Sequence, residues 1–278
     1  MNSFLNLQQQ PIPKQFINYR QVGCDNRMDY YLYLPPGCKS NPDFLVCIHG
    51  ISRNAQQQAE YYRHIAKRLH MPLIAPLFDR LHFSGYQRLS SRQTNHRADL
   101  MLHKVINEVA RLTDAHSPSL HLVGYSGGAQ FAHRFALIYP QRVSTLNLCA
   151  AGWYTFPDAD LNFPRGLKSS RIWPPLKPDL DGFLNIPIQV IIGSEDIARD
   201  AALNCKPDID RQQGGNRLTR AKNWYQAIHQ AQTDRQISHS ARLTLLAGEG
   251  HNFETNITNA GMSNHILDFI DLHSIGNI

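Results

Sequence analysis

The chain lacks the features by which membrane and exported proteins are usually detected. No apolar run in its 278 residues approaches the roughly 18 residues that a membrane-spanning helix needs. The N-terminal segment, residues 1–14, is rich in glutamine and has neither the charged start nor the apolar stretch of a signal peptide. We therefore expect a flexible tail at 1–14, no membrane partner and a cytoplasmic location.

Cysteine is scarce and irregularly spaced, which disfavours a metal site. The chain has 5 cysteines and no C-x-x-C pair. Cys47 and Cys149 lie inside apolar, strand-like runs and are expected to be small buried side chains. Cys24 and Cys38 flank a predicted strand, and the sequence leaves open whether they form a disulfide bond.

A dense basic block is also missing. The net charge is +6, but the 28 lysines and arginines are scattered. The densest group comprises Arg211, Arg217, Arg220 and Lys222, and it is loose. A solvated surface explains this distribution better than a nucleic-acid interface, so no nucleic-acid partner is expected.

Short apolar runs alternate along the chain with amphipathic segments. The predicted strands are 15–23, 28–34, 44–48, 73–77, 120–123, 143–151, 186–192 and 241–246. The predicted helices are 55–69, 97–112, 129–139, 218–233 and 257–272. Such alternation with short links predicts an α/β fold, with a mostly parallel sheet covered by helices on both faces. We expect a single domain over 15–278.

Two longer connections interrupt this alternation. Residues 156–185 contain five prolines together with Phe163 and Trp173, and such a long irregular connection predicts a lid-like insertion beside a binding site. A surface excursion without a role is the alternative. Residues 197–216 form a second stretch with no clear periodicity.

The most informative motif is the pentapeptide at 124–128, which has the form G-x-S-x-G. It lies between a predicted strand and a predicted helix, as a nucleophile elbow does. Gly124 and Gly128 suit such a turn, because the residues two before and two after the serine pass too close together for side chains. The motif predicts that Ser126 attacks a substrate carbonyl. A glycine-rich turn with an incidental serine is the competing interpretation.

A nucleophilic serine needs a base and an acid that orients the base, and in this architecture they follow it in the order acid, then histidine. Asp196 comes just after a strong predicted strand, and Glu195 and Asp200 are its rivals. His251 comes just after the next strand, beside glycines that let its loop approach closely. We therefore predict Asp196 as the acid and His251 as the base.

Two backbone amides are expected to form an oxyanion hole. The amide of Gly127 follows the nucleophile at the start of a helix. The second should come from the loop after the strand 44–48, where Ile51 is the best candidate. His49 in the same loop is expected to hold the loop by hydrogen bonds rather than act as a second base.

The motifs at 49–54, 124–131 and 151–154 resemble those of serine esterases of the α/β-hydrolase superfamily, in the group related to polyhydroxybutyrate depolymerases and feruloyl esterases. The resemblance extends from about residue 15 to the final helix. It implies an eight-stranded, mostly parallel sheet whose second strand is antiparallel. It also implies a site with no metal and no organic cofactor.

These observations predict a serine hydrolase that cleaves a carboxylic ester of a small-molecule substrate through an acyl-enzyme. Tyr125, Ser52, Trp153 and Tyr154 are candidates for lining the substrate pocket. A peptidase, thioesterase or acyltransferase could use the same three residues. A catalytically silent binding protein is a further alternative, whereas a dehalogenase would need a carboxylate where Ser126 stands. The sequence leaves the oligomeric state open.

Overall fold

A computed structural model describes residues 16–90, 96–169, 176–239 and 241–274. The described chain contains eight β-strands: β1 (Ile17–Gln21), β2 (Asp29–Tyr33), β3 (Phe44–Ile48), β4 (Leu73–Leu77), β5 (Leu120–Tyr125), β6 (Val143–Cys149), β7 (Ile188–Gly193) and β8 (Arg242–Leu246). It also contains eight α-helices: α1 (Ala55–Leu69), α2 (Ala98–Thr113), α3 (Gly127–Ile138), α4 (Leu180–Leu184), α5 (Pro207–Gln213), α6 (Arg217–Asp234), α7 (Phe253–Thr258) and α8 (Met262–Ser274). Short 3₁₀ helices lie at Tyr86–Arg88 and Pro140–Arg142.

The eight strands form one sheet in the order β1-β2-β4-β3-β5-β6-β7-β8. Strand β2 is antiparallel to both of its neighbours, β1 and β4. The pairs from β4 through β3 to β8 are all parallel. The predicted eight-stranded, mostly parallel α/β-hydrolase sheet with an antiparallel second strand is therefore confirmed.

The chain reverses its direction across the sheet after β4. The crossover from β3 through α1 to β4 runs towards one edge, and the crossovers after β4 run towards the other. Because parallel crossovers are right-handed, this reversal places α1 on one face and α2, α3 and α6 on the opposite face. Helix α8 packs against α1. Helices therefore cover both faces, and a crevice opens at the carboxyl ends of the central strands.

Two predicted segments differ from the structure. The helix expected over 257–272 is two helices, because Gly261 adopts a φ of +63° between α7 and α8 and so ends the helical path. The stretch 197–216, expected to be irregular, contains α5, which begins at Pro207. Proline at the first helical position lacks only a hydrogen bond that position never makes.

The predicted insertion at 156–185 contains α4 and a bridge between Asn162 and Lys168. Its motion as a lid stays a prediction. Trp173 and the expected tail at 1–14 lie outside the described residues. No disulfide bond joins Cys24 and Cys38. Within the described ranges, none of the helices has the length and apolar character required to cross a bilayer.

Candidate active site

Ser126 lies in a strained turn between β5 and α3. Its backbone has φ 53° and ψ −111°, a combination that residues with a side chain rarely adopt. A Cβ on Gly124 would overlap the backbone of Gly128, and a Cβ on Gly128 would overlap the Ile48 carbonyl. Only glycine fits at these two positions. The turn therefore holds the serine hydroxyl at the carboxyl end of the sheet, at the N-terminus of α3.

Ser126, His251 and Asp196 form one chain of hydrogen bonds. Oγ of Ser126 lies 3.1 Å from Nε2 of His251. Nδ1 of His251 lies 2.8 Å from Oδ2 of Asp196. A carboxylate can only accept, so it selects the tautomer in which Nδ1 carries the proton and Nε2 can accept one from the serine.

The loops that carry Asp196 and His251 are bound to each other. The amide of Glu195 donates to the carbonyl of Glu249 at 2.9 Å, and the amide of Gly248 donates to Oγ of Ser194 at 2.9 Å. A Cβ on Gly193, at the end of β7, would overlap the Glu249 backbone. These contacts bring the ends of β7 and β8 close enough for the carboxylate to reach the imidazole.

Of the three carboxylates considered from the sequence, only Asp196 reaches His251. Its side chain is fully buried, and Oδ1 lies 3.4 Å from Nη1 of Arg217. Arg217 binds Asp200 through two further hydrogen bonds of 2.8 and 2.9 Å. This contact with Arg217 lowers the pKa of Asp200. Glu195 is exposed and accepts a hydrogen bond from Ser194 at 3.4 Å.

His49 is fully buried beneath the loop that follows β3. Its Nε2 accepts a hydrogen bond from the Phe78 amide at 3.0 Å, so the proton is on Nδ1, which donates to the Gly50 carbonyl at 2.7 Å. Burial lowers the pKa of His49 to about 4, which keeps the ring neutral near pH 7. The contacts match the loop-holding role predicted for this residue.

The peptide between Gly50 and Ile51 runs beside the nucleophile. A Cβ on Gly50 would lie 3.4 Å from Cβ of Ser126, and one on Gly127 would lie 3.1 Å from Cγ2 of Ile51. Because a trans peptide directs its N–H opposite to its C=O, the bond from His49 to the Gly50 carbonyl also sets the direction of the Ile51 amide. Gly127, the first residue of α3, has no acceptor for its amide within the helix.

Two pockets meet at Ser126, and Ile51 and Ala202 also line both. The first, which we call the Gln130 pocket, has a volume of about 240 Å³. Its polar lining residues are Ser84, Gln87, Arg88, Gln130 and Asn204. No aspartate or glutamate occurs among the described residues that line it.

The second pocket, which we call the His251 pocket, has a volume of about 310 Å³. Tyr125 lines it and stacks on the His251 ring, with the ring centroids 5.5 Å apart. Ser52 lines the rim, and its hydroxyl donates to Asn54 at 3.3 Å. The pocket thus combines an aromatic wall with the imidazole.

The remaining two predicted pocket residues differ in position. Trp153 lines the Gln130 pocket, and Cζ of Arg134 lies 4.1 Å from the centre of its ring. Tyr154 points away and is fully buried, with its ring stacked on Trp224 at 4.7 Å. Its backbone amide and carbonyl both bind the Gln213 side chain at 2.8 Å. Tyr154 therefore supports the wall from behind, contrary to its expected place in the pocket lining.

Several site residues were missed from the sequence. Gln130 had a readable signal, because it lies one helical turn after Ser126 on α3. Arg88 had none, since it reaches the site from a distant segment. Arg217 was expected at a solvated surface, but the structure buries it against Asp196 and Asp200. Across the parts of the chain that the structure describes, no three histidine, cysteine or acidic side chains are grouped as metal ligands would be.

No protein-family model matches the sequence, and no curated protein is similar to it in sequence. Solved structures are similar to it in fold. Poly(aspartic acid) hydrolase-1 from Sphingomonas sp. KT-1 superposes with a TM-score of 0.74 at 22% identity, over 92% of this chain and 98% of that one. A poly(3-hydroxybutyrate) depolymerase from Bordetella parapertussis gives 0.70 at 22% identity, over 90% and 94%.

A ferulic acid esterase is similar at a TM-score of 0.59 and 13% identity, over 91% of this chain and 97% of that one. At these identities the likeness shows the α/β-hydrolase fold. The group of structures that share it, including a poly(3-hydroxybutyrate) depolymerase and a ferulic acid esterase, is the one that the sequence motifs resemble.

Proposed function

We propose that this protein is a serine hydrolase that cleaves a carboxylic ester through an acyl-enzyme. The observation that carries the proposal is the pair of hydrogen bonds that links Ser126 to His251 and His251 to Asp196, at 3.1 and 2.8 Å. Those distances lie in the range expected for a nucleophile, its general base and the group that orients the base.

In the first half of the reaction, the Ser126 hydroxyl attacks the ester carbonyl while its proton moves to Nε2 of His251. Asp196 holds Nδ1–H and stabilises the positive charge that forms on the ring. The carbonyl oxygen becomes an oxyanion, which the amides of Gly127 and Ile51 bind. Each such donor contributes about 3 kcal/mol of transition-state stabilisation.

The two pockets then receive the two halves of the substrate. The protonated imidazole must give its proton to the leaving alcohol oxygen, so the alcohol part belongs in the His251 pocket. The acyl part therefore lies in the Gln130 pocket, on the other side of Ser126. Water next enters from the His251 side, loses a proton to Nε2 and attacks the acyl carbon. The bond between that carbon and Oγ of Ser126 then breaks, Nε2 returns the proton to Oγ, and the acid is released.

The fold neighbours support hydrolysis as the class of reaction, since those described above are a hydrolase, a depolymerase and an esterase by name. Peptidase, thioesterase and acyltransferase activities use the same intermediate and differ in the leaving group or the acceptor. Comparing an ester, an amide and a thioester of one acyl group, with and without an added alcohol acceptor, separates these three activities from esterase activity.

Covalent labelling tests the nucleophile directly. A fluorophosphonate should label the folded protein on Ser126, located by peptide mapping, which also distinguishes it from Ser52 at the pocket rim. Ser126→Ala should abolish labelling and lower kcat by about 10⁴- to 10⁶-fold. Its melting temperature should not fall, because the substitution removes one hydroxyl.

Ser40→Ala is the matched control, since Ser40 is exposed and lies before β3, at the opposite edge of the sheet. This variant should label and turn over substrate as the wild type does. Absence of labelling in the folded wild type would mean a binding protein instead of an enzyme. Labelling at Ser52 would reject Ser126 as the nucleophile.

A further inference from the structure

Buried arginines bind the backbone carbonyls in the wall of the Gln130 pocket. Nη1 of Arg134 donates to the Gln87 carbonyl at 2.6 Å. Nη1 and Nη2 of Arg220 donate to the carbonyls of Gly152 and Asn204 at 2.6 and 2.9 Å. The backbone carbonyls of these three lining residues therefore already accept hydrogen bonds from arginines. With these carbonyls occupied and no carboxylate among the described lining residues, the amide and hydroxyl side chains along the pocket can donate to a ligand that accepts hydrogen bonds.

Arg134 also adds a positive charge directly behind this wall. Its side chain is fully buried against Trp153 and Gln87, and Nη2 has no hydrogen-bond partner among the described residues. No carboxylate of the described chain lies within ion-pair distance of it. Arginine keeps its proton under these conditions, so the charge persists. Because the Arg134 side chain is fully buried, solvent screens its charge poorly, and the charge acts on a ligand in the adjacent pocket.

Arg88 brings a second guanidinium to the same pocket. It ends the 3₁₀ helix at Tyr86–Arg88 and lines the pocket directly. Arg134 binds the carbonyl of Gln87, the residue that precedes Arg88 in the chain. Burial and then the charge of Arg88 lower the pKa of Arg134. One cation thus lines the pocket, and the other lies behind its wall.

The His251 pocket has the opposite character. Glu254 lines it, and no lysine or arginine occurs among its described lining residues. A substrate bound across Ser126 therefore meets positive charge on its acyl side and a carboxylate on its alcohol side. This gradient favours one orientation of a substrate with a charged acyl part.

We propose that the Gln130 pocket binds an anionic acyl group, so that the preferred substrates are half-esters of short dicarboxylic acids, with the free carboxylate at Arg88. This substrate class rests on Ser126 acting as the proposed nucleophile. A guanidinium suits the task because it binds a carboxylate through two parallel hydrogen bonds. The volume of about 240 Å³ limits the acyl part to a short chain.

The test compares monomethyl glutarate with the methyl ester of glutaric monoamide, a neutral molecule of the same shape. The wild type should show a kcat/KM about tenfold or more higher for the charged ester, as expected for a hydrogen bond to a charged group. Arg88→Gln should lose most of that preference, and Arg88→Lys should keep part of it. Arg68→Gln, an exposed arginine at the end of α1, is the control and should change neither rate.

Binding of the product provides a readout that does not need turnover. Glutarate should raise the melting temperature of the wild type and of Ser126→Ala, but not that of Arg88→Gln, and glutaramate should have little effect on any of them. Equal kcat/KM values for the two esters, or an Arg88→Gln variant that keeps the preference, would overturn the proposal. Failure of the serine mechanism would look different, because Ser126 would escape labelling while glutarate still bound.

Discussion

Arg134 and Arg217 are both almost fully buried beside the candidate active site, yet their charges are balanced in different ways. Arg217 lies between two carboxylates, with Asp200 at 2.8 Å and Asp196 at 3.4 Å. Burial alone would lower the pKa of Arg217, but the bonds to Asp200 and the charge of Asp196 outweigh it and the pKa is raised. Among the described residues, Arg134 has only neutral hydrogen-bond partners, the Gln87 carbonyl and the Thr155 hydroxyl, and burial lowers its pKa.

The difference separates two uses of a buried cation. Arg217 forms ion pairs with Asp200 and with Asp196, the acid of the proposed triad. Its positive charge is therefore neutralised by carboxylates of the protein itself. The charge of Arg134 is left uncompensated behind a pocket wall, where an anionic ligand can balance it. A buried arginine with its own carboxylates holds a structure together, whereas one without them is better suited to attract a ligand.

Arg217→Met should have the largest effect. Removing the cation leaves the fully buried Asp196 carboxylate with His251 as its remaining partner among the described residues. Breaking a buried pair in this way costs about 3 to 5 kcal/mol. The free energy of unfolding, measured in urea, should fall by that amount. The kcat for ester hydrolysis should fall as well, because the carboxylate that orients His251 is no longer held.

Arg217→Lys is the matched control, since it keeps the charge but cannot bind Asp200 and Asp196 with one planar group. It should be intermediate in both measurements. An Arg217→Met variant as stable and as active as the wild type would show that Arg217 does not restrain Asp196.

The proposed catalytic residues were predictable because their signals are local. Ser126, Asp196 and His251 each follow an apolar strand, and the carboxyl ends of parallel strands share one edge of the sheet. The elbow can be recognised in the sequence by Gly124 and Gly128, which lie where a side chain would collide with the backbone. The eight-stranded sheet followed from the same alternation of strands and helices together with the motif resemblance.

What the sequence could not predict depends on distances between segments that are far apart along the chain. Arginine is normally exposed, so nothing in the sequence marks Arg134 as buried behind Trp153. Tyr154 follows Trp153 directly in the loop after β6, yet one lines the pocket and the other packs on Trp224. Placing those two side chains required the positions of α5 and α6.

Arg134→Met should cost less stability than Arg217→Met. It leaves the Gln87 carbonyl unpaired, which costs about 1 to 3 kcal/mol, but it also removes a buried charge that lacks a carboxylate. We expect a loss of about 2 kcal/mol or less in the free energy of unfolding. The preference for monomethyl glutarate over its neutral analogue should decrease at the same time.

The two arginine variants are informative as a pair. A loss of stability for Arg134→Met as large as that for Arg217→Met would remove the contrast on which the comparison rests. An unchanged preference for the charged ester would show that the charge behind Trp153 does not reach the pocket.

Asp200→Asn should have the smallest effect, and it tests how much the Asp200 carboxylate contributes to neutralising Arg217. The Asp200 side chain is 41% exposed, so solvent screens its bonds to Arg217 and their loss costs about 1 kcal/mol or less at pH 7. The bond to Arg217 lowers the pKa of Asp200 below its ordinary value of 3.8. The native state therefore binds a proton at Asp200 less tightly than the unfolded chain does. The stabilisation is complete above the unfolded pKa and is lost as the pH falls through the folded pKa.

The free energies of unfolding of the Asp200→Asn variant and the wild type, measured in urea, should differ at pH 7 and converge in strong acid. A difference that persists in acid would assign the effect to packing, whereas no difference at pH 7 would leave Asp196 as the only carboxylate that compensates Arg217.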